Sequence, residues 1–286
     1  MKVLRGVGAA LATPLKEDYT IDFEGLEKLV DHVSRGVDYL VVLGTTGESP
    51  VFTWEEKLQI LDFVFKVNKQ EKPVVFGHGG NNTLDLIKKF KDLKKYPLTS
   101  ILSASPYYSR PSQKGIIRHF EMLAAASPHP VILYNVPSRT ASNMKAETTL
   151  TLAKHPNIAA MKEASKDLEQ CRKILAQQPE DFTFLSGEDS FTLELIQNGA
   201  IGIISVIANV LPTRFKEMVE ATMSGETDTA YTLNKQLQSA YRLASEEGNP
   251  TSIKAGLEAL GICKRTVKPP LFDASDELVE RWRSII

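Results

Sequence analysis

The sequence is poor in cysteine, in charge of one sign and in long apolar runs, and each shortage removes a class of protein. Cys171 and Cys263 are the only cysteines, too few for a disulfide framework and in no zinc-like spacing. The five histidines, His32, His78, His119, His129 and His155, are scattered without ligand spacing, and only His78 falls near a predicted strand end, so no zinc site is read. The formal net charge is −1 and the pI about 6.5, so no global field draws nucleic acid or anionic lipid, and an anionic substrate must be gathered by local cations. No apolar run reaches membrane-spanning length. The N-terminal Met-Lys-Val-Leu-Arg-Gly-Val-Gly enters a strand-like segment directly, without the layout of a secretory signal. These absences set the expectation of a cytoplasmic protein with no nucleic-acid or membrane partner. A glycine-rich phosphate turn is also missing. Gly77-His78-Gly79-Gly80-Asn81-Asn82 comes closest, but it lacks the G-x-G-x-x-G spacing and follows the third strand candidate rather than the first.

What is present is an ordinary globular composition, 42% hydrophobic and 24% charged over 286 residues. Short apolar runs at Gly8–Ala12, Tyr39–Leu43, Val74–Gly77, Ser100–Ala104, Val131–Asn135, Ile158–Lys162, Phe182–Ser186 and Gly202–Val206 predict strands. Several are continuous hydrophobics, as parallel strands covered by helices require. Helical stretches lie between them. Asp22 predicts an N-cap before Phe23–Arg35, with Phe23, Leu26, Leu29, Val30 and Val33 on one face, and Thr53 with Glu56 predicts a capping box before Leu58–Val67. Eight strand–helix alternations read as an α/β fold, a (β/α)8 TIM barrel. The tail predicts helices at Arg214–Ser224, Thr227–Glu246 and Ser252–Leu260, a turn at Pro269-Pro270 and a last helix from about Ser275. The expected division is therefore a barrel over 1–224 and a C-terminal helical region over 225–286.

In such barrels the site is built where strands end. Strand two ends in Gly44-Thr45-Thr46-Gly47-Glu48-Ser49, strand four in Pro106-Tyr107-Tyr108-Ser109-Arg110-Pro111, and strand five in Tyr134-Asn135-Val136-Pro137-Ser138-Arg139-Thr140. Strand six ends in Lys162-Glu163-Ala164-Ser165, strand seven in Ser186-Gly187-Glu188-Asp189, and strand eight runs into Ser205-Val206-Ile207-Ala208-Asn209. Lys162 follows Ile158-Ala159-Ala160-Met161, which puts an ammonium on a buried strand. It must either pair with an acid such as Glu163 or give up its charge, and a free amine is what imine chemistry with a ketone needs. Tyr134 is either a proton shuttle or a hydroxyl satisfied at the core's edge. Thr45 and Thr46 either hold an anion and relay protons or simply make a turn. Arg139 is either a fork for a carboxylate or a surface arginine. Cys171, in a predicted helix, reads as a packing thiol.

Taken together, Gly44-Thr45-Thr46-Gly47-Glu48-Ser49, Tyr107-Tyr108-x-Arg110-Pro111-x-Gln113, Tyr134 to Thr140, Lys162-Glu163-Ala164 and Ser186-Gly187-Glu188-Asp189 resemble the signatures of the dihydrodipicolinate synthase family. That family is part of the N-acetylneuraminate lyase superfamily of class I aldolases. The resemblance spans essentially the whole chain, with the motifs in order and correctly spaced. It implies a lyase of diaminopimelate and lysine biosynthesis that joins pyruvate to L-aspartate 4-semialdehyde through a Schiff base on Lys162. It further implies that Tyr134, Thr46 and Tyr108 form a proton relay, with Tyr108 reaching a neighbouring subunit's site. Arg139 would hold the semialdehyde carboxylate, and Thr45, Thr46, Gly187 and Ile204 would line the pyruvate site. The implied assembly is a homotetramer built as a dimer of dimers, with no metal or organic cofactor.

Ser49, Asn81 and Tyr107 match the family's inhibitory lysine site, and Asp85 is a shortened form of its glutamate. Trp54 and Lys57 stand where histidines often occur, and a cation at Lys57 opposes a ligand ammonium, which implies weak or absent lysine inhibition. Three rival readings carry less. A sugar-acid aldolase or N-acetylneuraminate lyase generally lacks the arginine of Ser138-Arg139-Thr140. A silent metabolite-binding barrel has no use for an imine-forming lysine. A dinucleotide-dependent oxidoreductase lacks its phosphate loop.

Overall fold

The computed structural model describes residues 4–286; Met1–Val3, the start of the segment expected to run straight into a strand, lie outside the described residues. In chain order the elements are β1 Gly6–Ala10, α1 Phe23–Ser34, β2 Tyr39–Val42, α2 Trp54–Val67, β3 Val74–Gly77, α3 Thr83–Leu93, β4 Ser100–Ala104, α4 Gln113–Ala126 and β5 Val131–Asn135. They continue with α5 Pro137–Thr140, α6 Ala146–Leu152, β6 Ile158–Glu163, α7 Leu168–Gln177, β7 Thr183–Ser186, α8 Thr192–Gln197 and β8 Gly202–Ser205. After the last strand come α9 Pro212–Met223, α10 Thr227–Glu246, α11 Thr251–Ala259 and α12 Asp276–Arg283. The eight strands close in chain order into a parallel barrel, the predicted α/β barrel with helices after its last strand. Among the described residues no helix is long and apolar enough to cross a membrane.

The eight predicted strands are all present, with ends that shift by one or two residues. The largest shift is in β1, which leaves the ladder before Ala12 because the Ala12 amide donates to the Asn209 side chain at 3.0 Å instead of to a strand. The helix caps are where the sequence puts them. Asp22 accepts from the Gly25 amide, Thr53 and Glu56 close a reciprocal capping box, and Ser275 caps α12.

The chain forms two compact units. In the unit Val74–Ile203, strands β3 to β7 are buried and near-continuously apolar. Asn82, Ser112 and Asp167 cap the helices α3, α4 and α7 that cover them.

The other unit comprises Gly6–Pro73 and Ile204–Ile286. Its C-terminal helices pack around a fully buried Trp282, whose indole N–H donates to the Ser252 carbonyl at 2.9 Å. Beside them lies an ion pair with no solvent exposure to speak of. Lys254 Nζ is 2.5 Å from Glu48 Oε1 and donates to the Thr266 carbonyl at 2.6 Å. The Lys268 amide donates to Glu48 Oε2 at 2.8 Å. Burial pulls the Lys254 ammonium below its ordinary range, and the Glu48 carboxylate opposes that shift. Removing one partner strands the other charge in the core. Lys254→Met is therefore expected to destabilise the fold by about 3–5 kcal/mol in denaturant titration, and Glu48→Gln combined with it to recover a substantial part of that loss. Equal losses for the single and double variants would contradict the pairing.

Candidate active site

The site begins in the register of two strands. In the β5–β6 ladder, Tyr134 is paired with Lys162 and Asn135 with Glu163. Side chains alternate along a strand, and paired residues of parallel neighbours share a face. Tyr134 and Lys162 therefore project together to one side of the sheet, and Asn135 and Glu163 to the other. The second pair lies under α7, where Gln170 reaches it, so the first pair faces the barrel interior.

Lys162 is 4% exposed, and its Nζ sits 4.4 Å from the centroid of the Tyr134 ring. Among the described residues it makes no hydrogen bond and no ion pair. The carboxylate pairing left open for it in the sequence is not made, because Glu163 points through the opposite face of the strand. There the Glu163 carboxylate accepts from Asn135 Nδ2 at 3.0 Å on each oxygen, from the Ser165 amide at 2.7 Å and from Gln170 Nε2 at 3.1 Å. Burial holds its carboxyl above the usual range, and these donors oppose the shift. A buried primary amine over an aromatic face, with no acid to bind it, is the arrangement a carbonyl nucleophile needs.

Gly187, at the end of β7, keeps that amine's surroundings open. Its amide donates to the Glu163 carbonyl at 2.7 Å. A methyl in place of its hydrogen would lie 3.0 Å from Lys162 Cγ, from Ala164 Cβ and from the Glu163 carbonyl oxygen. Ile204 lies in β8 and is wholly buried.

The threonine turn after β2 is bounded by two residues in the left-handed region, Leu43 at φ 58° and Glu48 at φ 55°, a conformation that non-glycine residues hold only where the surroundings impose it. Gly47 has no room for a side chain, since a Cβ would lie 2.9 Å from Leu43 Cα and 3.0 Å from the Leu11 carbonyl oxygen. Its carbonyl accepts from the Thr13 hydroxyl at 2.8 Å. Thr45 is partly exposed. Thr46 is buried, and its Oγ1 accepts from Asn249 Nδ2 at 3.1 Å.

Two further candidates stand on the surface. Tyr108 is 90% exposed and holds φ 68°, with Arg110 also left-handed at 45°. Arg139 is exposed on the four-residue α5. Of the residues assigned to a regulatory site, Tyr107 and Ser49 are partly exposed and Asn81 is exposed. The Asp85 carboxylate is bonded to Lys89 at 2.6 Å, and that bond holds it below its usual range. Cys171 packs in α7, and burial pushes its thiol up to about 12, so it is no nucleophile near neutral pH. Among the described residues, no three His, Cys, Asp or Glu side chains come together in a metal-binding group.

Residues beyond those singled out in the sequence also shape the site. The sequence shows Glu48 and Asn135 only as parts of their motifs and Glu163 as a possible counterion of Lys162, and it does not mark Lys254, Asn249, Asn143 or Gln170 as site residues at all. Lys254 left one trace. It is the single charge in the stretch Thr251 to Leu257, and every residue there is buried.

Residues 3–286 match the dihydrodipicolinate synthetase family. The chain is 42% identical over 283 residues to a 4-hydroxy-tetrahydrodipicolinate synthase of Flavobacterium psychrophilum, covering 98% of this chain and 97% of the relative. It is 43% identical over 286 residues to one of Azobacteroides pseudotrichonymphae, covering 99% and 97%. The crystal structure of dihydrodipicolinate synthase from Aquifex aeolicus superposes with a TM-score of 0.94 at 34% identity, covering 99% of this chain and 97% of that one.

The crowding at Gly187 yields a direct check. Gly187→Ala presses a methyl against the Lys162 stem and is expected to slow borohydride trapping of a bound ketone at Lys162 by roughly tenfold, with the fold intact by circular dichroism. Trapping at the wild-type rate would contradict the packing described.

Proposed function

The chain belongs to the dihydrodipicolinate synthetase family, and from that premise we propose that it condenses pyruvate with L-aspartate 4-semialdehyde as a 4-hydroxy-tetrahydrodipicolinate synthase of diaminopimelate and lysine biosynthesis. It is a lyase of that family. The observation that carries the substrate reading is the buried Lys162 amine, paired with no acid among the described residues and lying over Tyr134.

The Lys162 amine adds to the C2 carbonyl of pyruvate and loses water to give an imine. Loss of a C3 proton turns the imine into an enamine. C3 then forms a carbon–carbon bond with the aldehyde carbon, whose oxygen takes up a proton. The substrate's own amine attacks the imine carbon, displaces Lys162 and closes the ring.

Tyr134, Thr46 and Tyr108 move the protons in this reading. Tyr134 is supported by its position beside Nζ. Thr46 is supported by the Asn249 amide, which occupies Oγ1 as an acceptor and leaves the hydroxyl proton to be donated elsewhere. Tyr108 is supported by its exposure on a left-handed backbone, a phenol presented outward to a neighbouring subunit. Arg139 clamps the semialdehyde carboxylate, while Thr45, Thr46, Gly187 and Ile204 line the pyruvate site. The assembly in this reading is a homotetramer made as a dimer of dimers and working in the cytoplasm. Lysine inhibits it weakly or not at all, because the Asp85 carboxylate is already engaged by Lys89 and Lys57 repels the ligand ammonium.

Pyruvate and L-aspartate 4-semialdehyde, coupled to dihydrodipicolinate reductase and NADPH, test this reading. Lys162→Ala is expected to abolish turnover, and Arg139→Ala to lower kcat/KM for the semialdehyde by about a hundredfold. Robust turnover by Lys162→Ala would overturn the reading.

A further inference from the structure

Glu163 has no part in the steps above, yet it is a heavily bonded buried side chain next to Lys162. It lies 1% exposed, and among the described residues no Lys, Arg or His forms an ion pair with it. Its partners are uncharged donors, the side-chain amides of Asn135 and Gln170 and the amide and hydroxyl of Ser165. Asn135 meets both carboxylate oxygens, and its orientation is fixed, because its Oδ1 accepts from the Met144 amide at 2.9 Å. Nδ2 must then face Glu163, where it meets both carboxylate oxygens, and it also donates to Asn143 Oδ1 at 2.7 Å.

These bonds close a neck. The chain leaves β5 at Asn135, carries Arg139 on α5, and returns through Asn143 and Met144 to the side chain of the residue where it left. Gln170 ties the neck to α7, accepting from Asn143 Nδ2 at 2.8 Å and donating to Glu163. Gln113 holds the Asn143 carbonyl at 2.8 Å. Glu163 is the acceptor that Asn135 and Gln170 share, and it directly follows Lys162 on β6. We propose that Glu163 is a positioning residue that sets Arg139 relative to Lys162, so that the amine and the guanidinium are held at a spacing suited to a substrate bound by both. This rests on the roles assigned above to Lys162 and Arg139.

The negative charge is specific to the task. A glutamine has the same shape but would turn an NH2 group toward Asn135 Nδ2 or Gln170 Nε2, donor against donor. Asn135 cannot rotate away without giving up Met144. Glu163→Gln therefore opens the neck while leaving the β6 ladder and Lys162 in place. Asn143→Ala opens the same neck from its partly exposed side and guards against a folding defect in the first variant.

Both variants are compared with wild type as the full assembled protein. Glu163→Gln is expected to keep borohydride trapping of pyruvate within about twofold while raising the KM for L-aspartate 4-semialdehyde roughly tenfold, and Asn143→Ala to raise it less. Placed on Arg139→Ala, Glu163→Gln should add less than about a further twofold to that KM, since its effect passes through the arginine. Hydrogen exchange across 136–144, which needs no substrate, should speed up in both variants. Equal KM effects in the presence and absence of Arg139, or unchanged exchange across the neck, would overturn the proposal. Wild-type failure to turn over the semialdehyde, with faster exchange across the neck in Glu163→Gln, would instead count against the substrate reading and leave the neck standing.

Discussion

Most of the site depends on the register between β5 and β6. Pairing Tyr134 with Lys162 brings a phenol and an amine to the interior face, and the same pairing sends Asn135 and Glu163 to the helix-covered face. A slip of one residue would exchange the two pairs, burying the amine under α7 and turning the carboxylate into the barrel. Because backbone alternation separates Lys162 from its sequence neighbour, the lysine has no acid partner among the described residues although one is covalently next to it. The interior of a barrel strand thus provides what imine chemistry requires, an amine kept from water and from carboxylates alike.

Two buried carboxylates organise the loops, and they are satisfied in opposite ways. Glu48 ends the threonine turn in a left-handed conformation and is met by the Lys254 ammonium and the Lys268 amide. The helices after β8 thereby anchor a turn more than two hundred residues earlier in the chain, and Asn249 from the same region bonds Thr46 directly. Glu163 receives uncharged donors, amides and the Ser165 hydroxyl, and among the described residues no cation pairs with it. A buried pair contributes little net stability but is costly to break. A carboxylate served by oriented donors depends on each of them holding its place, and through Asn135, Asn143 and Gln170 it ties the end of β5 to α7.

The sequence carried the fold in legible form because its signals are local. Short apolar runs, several of them continuous, mark the eight strands, and Asp22, Thr53 with Glu56, and Ser275 mark helix starts that the structure repeats. Lys162 was conspicuous as a lone charge closing an apolar run. What stayed hidden depends on tertiary partners. The choice between Glu163 as a counterion and Glu163 as an anchor turned on strand alternation and on Asn143 and Gln170, which lie in other loops and helices. Lys254 reads as a surface residue until its helix is seen to be buried on all sides. The end of β1 differs from the apolar run because the Ala12 amide is taken by Asn209, 197 residues along the chain. Left-handed Tyr108 and Glu48 carry no sequence mark, since neither is a glycine.

The most direct test of this account is borohydride reduction of the intact protein with pyruvate, followed by mass mapping of its peptides. The account predicts one reduced pyruvate adduct, on the peptide holding Lys162. No adduct, or an adduct confined to another lysine, would contradict it.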